Sequence, residues 1–270
     1  MKKVCLFLSV CLMAQPIAYA TTTNATTTNN SNTNQAQAEL PDINGTNTIG
    51  NTNVPAEKKF KFMDGVSGTF ALTTDYVFRG ISQTENLPAV QGGLTYTLPV
   101  GLYFNTWGSN VKFTDSEANI EIDTVGGIRN SIGDDFSYDI NYARYNYPRA
   151  PELEYNELNT VFKYFFIQAG ISYSANVYNS HDEGTYYNGG INYDIPAQYL
   201  FNFEGVNITA LIGHYSFPSA TPAKSYNDYN IGVSKALNDV YIVMAQWTGT
   251  NHKNPPYDRN QINGTITANF

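Results

Sequence analysis

Six ionisable residues stand where electrostatic chemistry is expected: Asp75, Arg79, Glu121, Asp123, Arg129 and Lys163. Each falls on the polar phase of a segment whose other phase is apolar, and side chains in a strand point alternately to opposite faces. If such strands enclose an interior, Asp75, Glu121 and Asp123 face Arg79, Arg129 and Lys163 across it. That arrangement is a charged constriction, setting a transverse field on passing solutes. The alternative is an interior filled by paired charges, which hold the sheet rigid and pass little. Asp75 and Arg79 lie four positions apart on one strand face. At ~3.3 Å per residue they are too distant for a direct pair, so each is predicted to meet charges from other strands. Inward-facing ionisable residues at membrane depth are functional candidates by default.

Other chemistry is poorly served. His181, Asp182 and Glu183 are adjacent and would hold a divalent ion only if the loop made them converge. An ordinary polar loop tip is the simpler reading. His181 and His252 fall in predicted loops and His214 near a strand end, with no Gly-x-Ser-x-Gly elbow, phosphate loop or metal-ligand spacing. No catalytic residue, cofactor or metal is expected. Arg144 falls on the apolar phase near a strand end. It either contacts lipid phosphates or marks a register one residue off, since one slip flips every side chain.

The elements that must position the charges are read most clearly at the end of the chain. Phe270, Ala268, Ile266, Gly264 and Ile262 share one strand face, and Asn269, Thr267, Thr265, Asn263 and Gln261 the other. A Phe closing such a strand suits the last strand of a bacterial outer-membrane barrel, which pairs with the first and removes the sheet edge. Eleven earlier segments repeat the pattern, beginning with Gly68 to Arg79 (Phe70, Leu72, Thr74, Tyr76 and Phe78 on the apolar phase). Twelve is an even number, as a single-chain bacterial barrel with both ends on one side requires. Connections mostly alternate short and long, but Pro196 to Gly205 breaks the rhythm, so ten or fourteen strands stay open. The expected fold is thus all-β: a transmembrane antiparallel up-and-down barrel of about twelve strands. Its interfacial aromatics are predicted to be Tyr76, Phe78, Tyr142, Tyr164, Tyr193, Trp247 and Phe270. A soluble sandwich would show more Lys and Glu on its outward faces.

Composition agrees. Residues 1–20 read as a secretory signal peptide: Lys2 and Lys3, an apolar run to Ala14, then Ala18-Tyr19-Ala20. Cys5 and Cys11 lie inside it, leaving no cysteine in the expected mature chain. Residues 21–59 form a Thr/Asn-rich segment expected to be a disordered periplasmic tether. Residues 60–270 are the expected barrel. Removing Lys2 and Lys3 from the 15 Lys and Arg leaves 13 bases against 23 acids, a net of −10. That argues against nucleic acid, which needs clustered Lys and Arg, and hints at a preference for cations.

The stretch Thr73-Thr74-Asp75-Tyr76-Val77-Phe78-Arg79-Gly80-Ile81-Ser82-Gln83-Thr84 is followed by Pro88-Ala89-Val90-Gln91-Gly92-Gly93 and Thr106-Trp107-Gly108-Ser109-Asn110-Val111. Together they resemble the TorF-type family of proteobacterial outer-membrane porins. The resemblance extends more loosely, through Glu121 and Asp123, over about residues 66 to 270. It implies an outer-membrane barrel and a passive channel, and brings no established site residues. The expected function is diffusion of small hydrophilic solutes through a polar lumen. The rival is a closed structural or surface-interaction barrel. Expected partners are outer-membrane lipid and lipopolysaccharide, the barrel-assembly machinery through the C-terminal strand, and small hydrophilic solutes.

Overall fold

The computed structural model describes residues 65–218, 223–253 and 260–270. The expected signal peptide and the Thr/Asn-rich segment lie outside the described residues.

Period-two alternation with turn residues between segments yields an antiparallel sheet whose strands pair in sequence order. After β1 (Val66–Thr73) come the short strands β2 (Val77–Phe78) and β3 (Ile81–Ser82), then β4 (Ala89–Thr97), β5 (Leu102–Asn110) and β6 (Ile120–Ile132). They are followed by β7 (Phe136–Asn146), β8 (Tyr155–Tyr164), β9 (Ile167–Ser174) and β10 (Gly184–Ile195). The last four are β11 (Val206–Ser216), β12 (Tyr226–Ala236), β13 (Tyr241–Thr250) and β14 (Gln261–Asn269). All but β2 and β3 form one closed barrel, so the wall has twelve strands.

Closure is made by β1 and β14, with Phe70 opposite Ala268 and Leu72 opposite Ile266. The Gly68 N–H donates to the Phe270 carbonyl at 2.6 Å, and the Phe270 N–H donates back at 3.0 Å. The Phe270 ring lies over Gly68, where any Cβ would collide with it. No strand of the wall is left with an unpaired edge, the condition that hydrocarbon imposes on a sheet.

Because the side-chain period is two, this closure sorts the residues completely. Phe70, Leu94, Phe104, Ile171 and Ile231 point outward and are exposed. The intervening positions, among them Gln91, Ser109, Asn159, Ser172 and Asn263, point inward and are buried. Connections gather at two ends. The turn end carries residues 98–101, 133–135, 165–166, 196–205 and 237–240; the loop end carries 74–88, 111–119, 147–154 and 175–183. The ten-residue connection Pro196 to Gly205 stays at the turn end and includes a short 3-10 turn, Ala197–Tyr199. It breaks the length rhythm without changing the strand count.

One boundary needs correction. The first wall strand stops at Thr73 rather than Arg79, and residues 74–88 fold inward as a hairpin, with Val77 opposite Ser82 and Phe78 opposite Ile81. A hairpin alternates with the same period as a wall strand, so the pattern alone ran through the junction. The molecule's apolar core sits where this hairpin meets the loop-end interior: Tyr76, Phe78, Trp107, Tyr145, Tyr155 and Tyr215 are buried together.

Candidate functional site

The inward hairpin is held at its base by Asp75. Its Oδ1 accepts from Ser82 Oγ and Thr84 Oγ1, each at 2.7 Å, and its Oδ2 accepts from Gln261 Nε2 of β14 at 2.5 Å. The Gln83 N–H donates to the Tyr76 carbonyl at 2.6 Å, and the Gln83 carbonyl accepts from the Lys112 N–H at 2.8 Å. The tip is a two-residue turn, Arg79-Gly80, with φ of 43° and 79°. Tight hairpin turns that match strand twist need positive φ at both central residues. Gly80 adopts this freely, whereas Arg79 is strained.

What holds Arg79 there is the far wall. Its Nη1 and Nη2 donate to Glu157 Oε2 and Oε1 of β8 at 3.1 and 2.9 Å, a fork-to-carboxylate pair. The guanidinium lies 4.6, 4.1 and 4.8 Å from the ring centres of Phe78, Tyr186 and Tyr215, within cation–π range. Tyr145 donates to Glu157 Oε1 at 3.3 Å. Burial would lower the Arg79 pKa, but the Glu157 carboxylate, together with the neighbouring Tyr215 and Tyr145, outweighs it and holds it above the ordinary value. Tyr178, on a neighbouring loop, has its phenol pushed up by burial.

Beside this pair are two further buried acids. Glu121 and Asp123 of β6 point into the same buried space, and Asp123 lies in register between Trp107 and Tyr145. Neither oxygen of Glu121, nor Oδ1 of Asp123, closes a hydrogen bond, although the Tyr147 and Tyr76 hydroxyls face Glu121. Tyr76 meets Trp107 edge to face at 5.4 Å, and Tyr145 stacks on Tyr155 at 4.5 Å.

Arg129 and Lys163 are elsewhere. Both lie in the turn-end half, where Arg129 stacks over Tyr103 at 4.1 Å and Tyr103 donates to Asp139 at 2.8 Å. Lys163 faces the carboxylates of Asp139 and Asp194. Asn141 donates to Asp139 at 2.9 Å, and Asn207 to Asp194 at 2.8 Å. The six charges therefore form two clusters at different depths instead of one constriction. The acids Asp75, Glu121 and Asp123 do meet Arg79's half of the interior, but not Arg129 or Lys163.

Two of the expected interfacial aromatics are also relocated. Tyr76 and Phe78 are on the hairpin inside the barrel, only 5% and 3% exposed. They shared the phase of Phe70 and Leu72 in sequence, but the chain turns inward between them. Tyr142, Tyr164, Tyr193, Trp247 and Phe270 are exposed. Arg144 is on the outward phase, so the register stands; it bonds to Glu154 at 2.5 Å and Asn146 at 3.2 Å. Glu183 accepts from Tyr173 at 3.0 Å, and no carboxylate–histidine cluster suited to a metal occurs among the described residues.

Glu157, Tyr186, Tyr215 and Asp228 were not singled out from sequence as functional. Their inward phase was the available signal; their partner, 78 positions from Glu157, was not.

A bacterial family of unknown function, Gcw_chp, matches residues 62–269. The chain belongs to the Gcw_chp family. Comparison with curated proteins finds no match. Among solved structures, a KdgM porin superposes with a TM-score of 0.50 at 8% identity, covering 76% of this chain and 98% of that one. A NanC porin superposes at 0.51 with 7% identity, over 76% and 98% of the two chains. At these identities the likeness is one of fold, and it agrees with the closed antiparallel barrel of this Gcw_chp chain.

Proposed function

We propose that this Gcw_chp protein is an outer-membrane porin, a passive channel for small hydrophilic solutes. The observation that carries the reading is the closed wall with an exposed apolar outer face around an interior that, apart from the loop-end aromatic core, is lined by polar and charged side chains. An exposed apolar belt on this scale suits lipid and not water. The porin-like fold and the TorF-type resemblance support the same reading. In it the loop end faces outward, and the turn end and both chain ends face the periplasm, with residues 21–59 as a tether. Lipid and lipopolysaccharide contact the belt, and the strand ending in Phe270 addresses the assembly machinery. The acidic excess favours cations over anions.

Recording from the mature chain in planar bilayers tests this. Stable single-channel steps are expected, with a reversal potential in a salt gradient that reports cation preference. Silence from correctly folded protein would overturn the channel reading, and anion preference its selectivity. The rival closed barrel draws on one observation, the hairpin buried in the loop-end interior. Recording Arg79→Ala beside the parent discriminates the two: a parent that already conducts and gains current in the variant is a channel narrowed by its hairpin, and a parent that is silent until the hairpin is released is the closed barrel.

A further inference from the structure

Apart from the Phe78 ring, the Arg79 guanidinium fills a pocket that the hairpin did not build. Glu157 comes from β8, Tyr186 from β10 and Tyr215 from β11. The hairpin is tethered to β1 and β4, and the closed strand order places those two strands on the other side of the barrel from β8 to β11. The pocket's members are braced without Arg79. Tyr145 donates to Glu157 at 3.3 Å, Tyr186 donates to Asp228 at 3.1 Å, and Tyr215 meets Tyr186 edge to face at 5.8 Å. A carboxylate facing a planar fork of N–H groups, with ring faces stacked on the same cation, is the arrangement that distinguishes a guanidinium from an ammonium.

The surroundings favour further positive charge. Asp75, Glu121, Asp123, Glu157 and Asp228 are all buried, and Arg79 is the one buried base among the described residues. The bare oxygens of Glu121 and Asp123 add acceptors beside the pocket. Five buried acids around a single buried base are costly, and a further cation relieves that cost. Meanwhile Arg79 is strained at a φ of 43°, so its occupancy works against its own backbone.

We propose that this pocket is a binding site for solutes bearing a guanidinium group, and that Arg79 is its tethered occupant. A guanidinium solute competes with Arg79 for Glu157 and the two tyrosine rings. Displacement undocks the hairpin and clears the loop-end interior, a consequence that rests on the channel reading, whereas the binding itself does not.

The test uses the full mature chain carrying Arg79→Ala, with methylguanidinium chloride as the probe and potassium chloride at equal ionic strength as control. In planar bilayers millimolar methylguanidinium is expected to reduce the variant's current by refilling the vacated pocket. Methylammonium, which lacks the fork, acts more weakly. Adding Glu157→Gln is expected to weaken the effect about tenfold or more, since the charge-assisted pair is gone. In parallel, methylguanidinium is expected to raise the Tm of Arg79→Ala in detergent but not that of the double variant. Equal responses of single and double variants in both measurements overturn the site. If no folded variant passes current yet the Tm difference persists, the channel reading fails and the site stands. If current flows but neither readout depends on Glu157, the site fails and the channel stands. Should Arg79→Ala not fold, Arg79→Gln keeps the length without the charge and is read in the same way.

Discussion

The two halves of the barrel interior are lined by the same strands in the same phase, yet their chemistry is opposite. Strand β6 runs from Glu121 and Asp123, buried without hydrogen bonds on three of their oxygens, to Arg129, half-buried over Tyr103. Strand β8 runs from Glu157, 1% exposed and clamped on Arg79, to Lys163, half-buried and facing Asp139 and Asp194. In the loop-end half, the hairpin and aromatic rings exclude water, so each charge depends on its geometry. In the turn-end half, the charges keep partial access to solvent. Pairing there is worth little, and amides such as Asn141 and Asn207 supply alternative partners. Depth along the strand, more than inward phase, decides what a charge does here.

The largest effect is expected from the partner of the buried pair. Glu157→Leu leaves the Arg79 guanidinium buried and unpaired, a change that typically costs about 3–5 kcal/mol. The ladders of the wall do not run through this pair, so the loss is expected to fall on docking of the hairpin. Heat-modifiable migration of the folded barrel should be retained, while protease cuts near residues 79–86 and conductance both rise. A hairpin as protected as in the parent would show that the pair does not hold it.

A smaller effect is expected at the hairpin tip. Gly80 has φ of 79°, and a Cβ there would press on Asp228 Cβ and Thr250 Cβ. Gly80→Val carries about 1–2 kcal/mol of left-handed backbone cost, plus that collision. The same protease assay should show partial release, less than for Glu157→Leu. If the order is reversed, turn geometry and not charge pairing positions the hairpin.

These two sites also mark the limit of what the sequence discloses. The wall was legible because apolar outward-facing and polar interior-facing residues alternate along its strands, and turn residues punctuate them. An up-and-down barrel of about twelve strands followed from that, with ten or fourteen left open until the structure gave twelve, as did the outward position of Tyr142, Tyr164 and Trp247. The hairpin was not legible, because alternation from Thr73 to Phe78 is common to a wall strand and to a plug. What separates the two is the partner, and the partner is remote: Glu157 is 78 positions from Arg79, and Gln261 is 186 from Asp75. The local sign available was Arg79-Gly80, a turn dipeptide inside an apparently continuous strand. Likewise Tyr76 and Phe78 carry the composition of an interfacial girdle, and only the inward fold distinguishes a girdle from a core.

The smallest effects are expected in the wet half, and their pattern matters more than their size. Asp139 accepts from Tyr103 and Asn141 and lies near Lys163, but it is half-buried only. Asp139→Asn keeps its shape and most of its hydrogen bonds, so stability should change by about 0–1 kcal/mol. In the proposed channel, however, the charge lost faces the water path. With Arg129 over Tyr103 beside it, the local balance turns positive, and the reversal potential in a salt gradient should move toward anions. Lys163→Gln removes a base from the same cluster and should move it toward cations by a similar amount. Opposite shifts at unchanged Tm would place the turn-end cluster on the ion path and confine the structural role of charge to the loop end. Two null shifts in a conducting barrel would mean that ions bypass Asp139 and Lys163, and the contrast between the halves would then be one of solvent access alone.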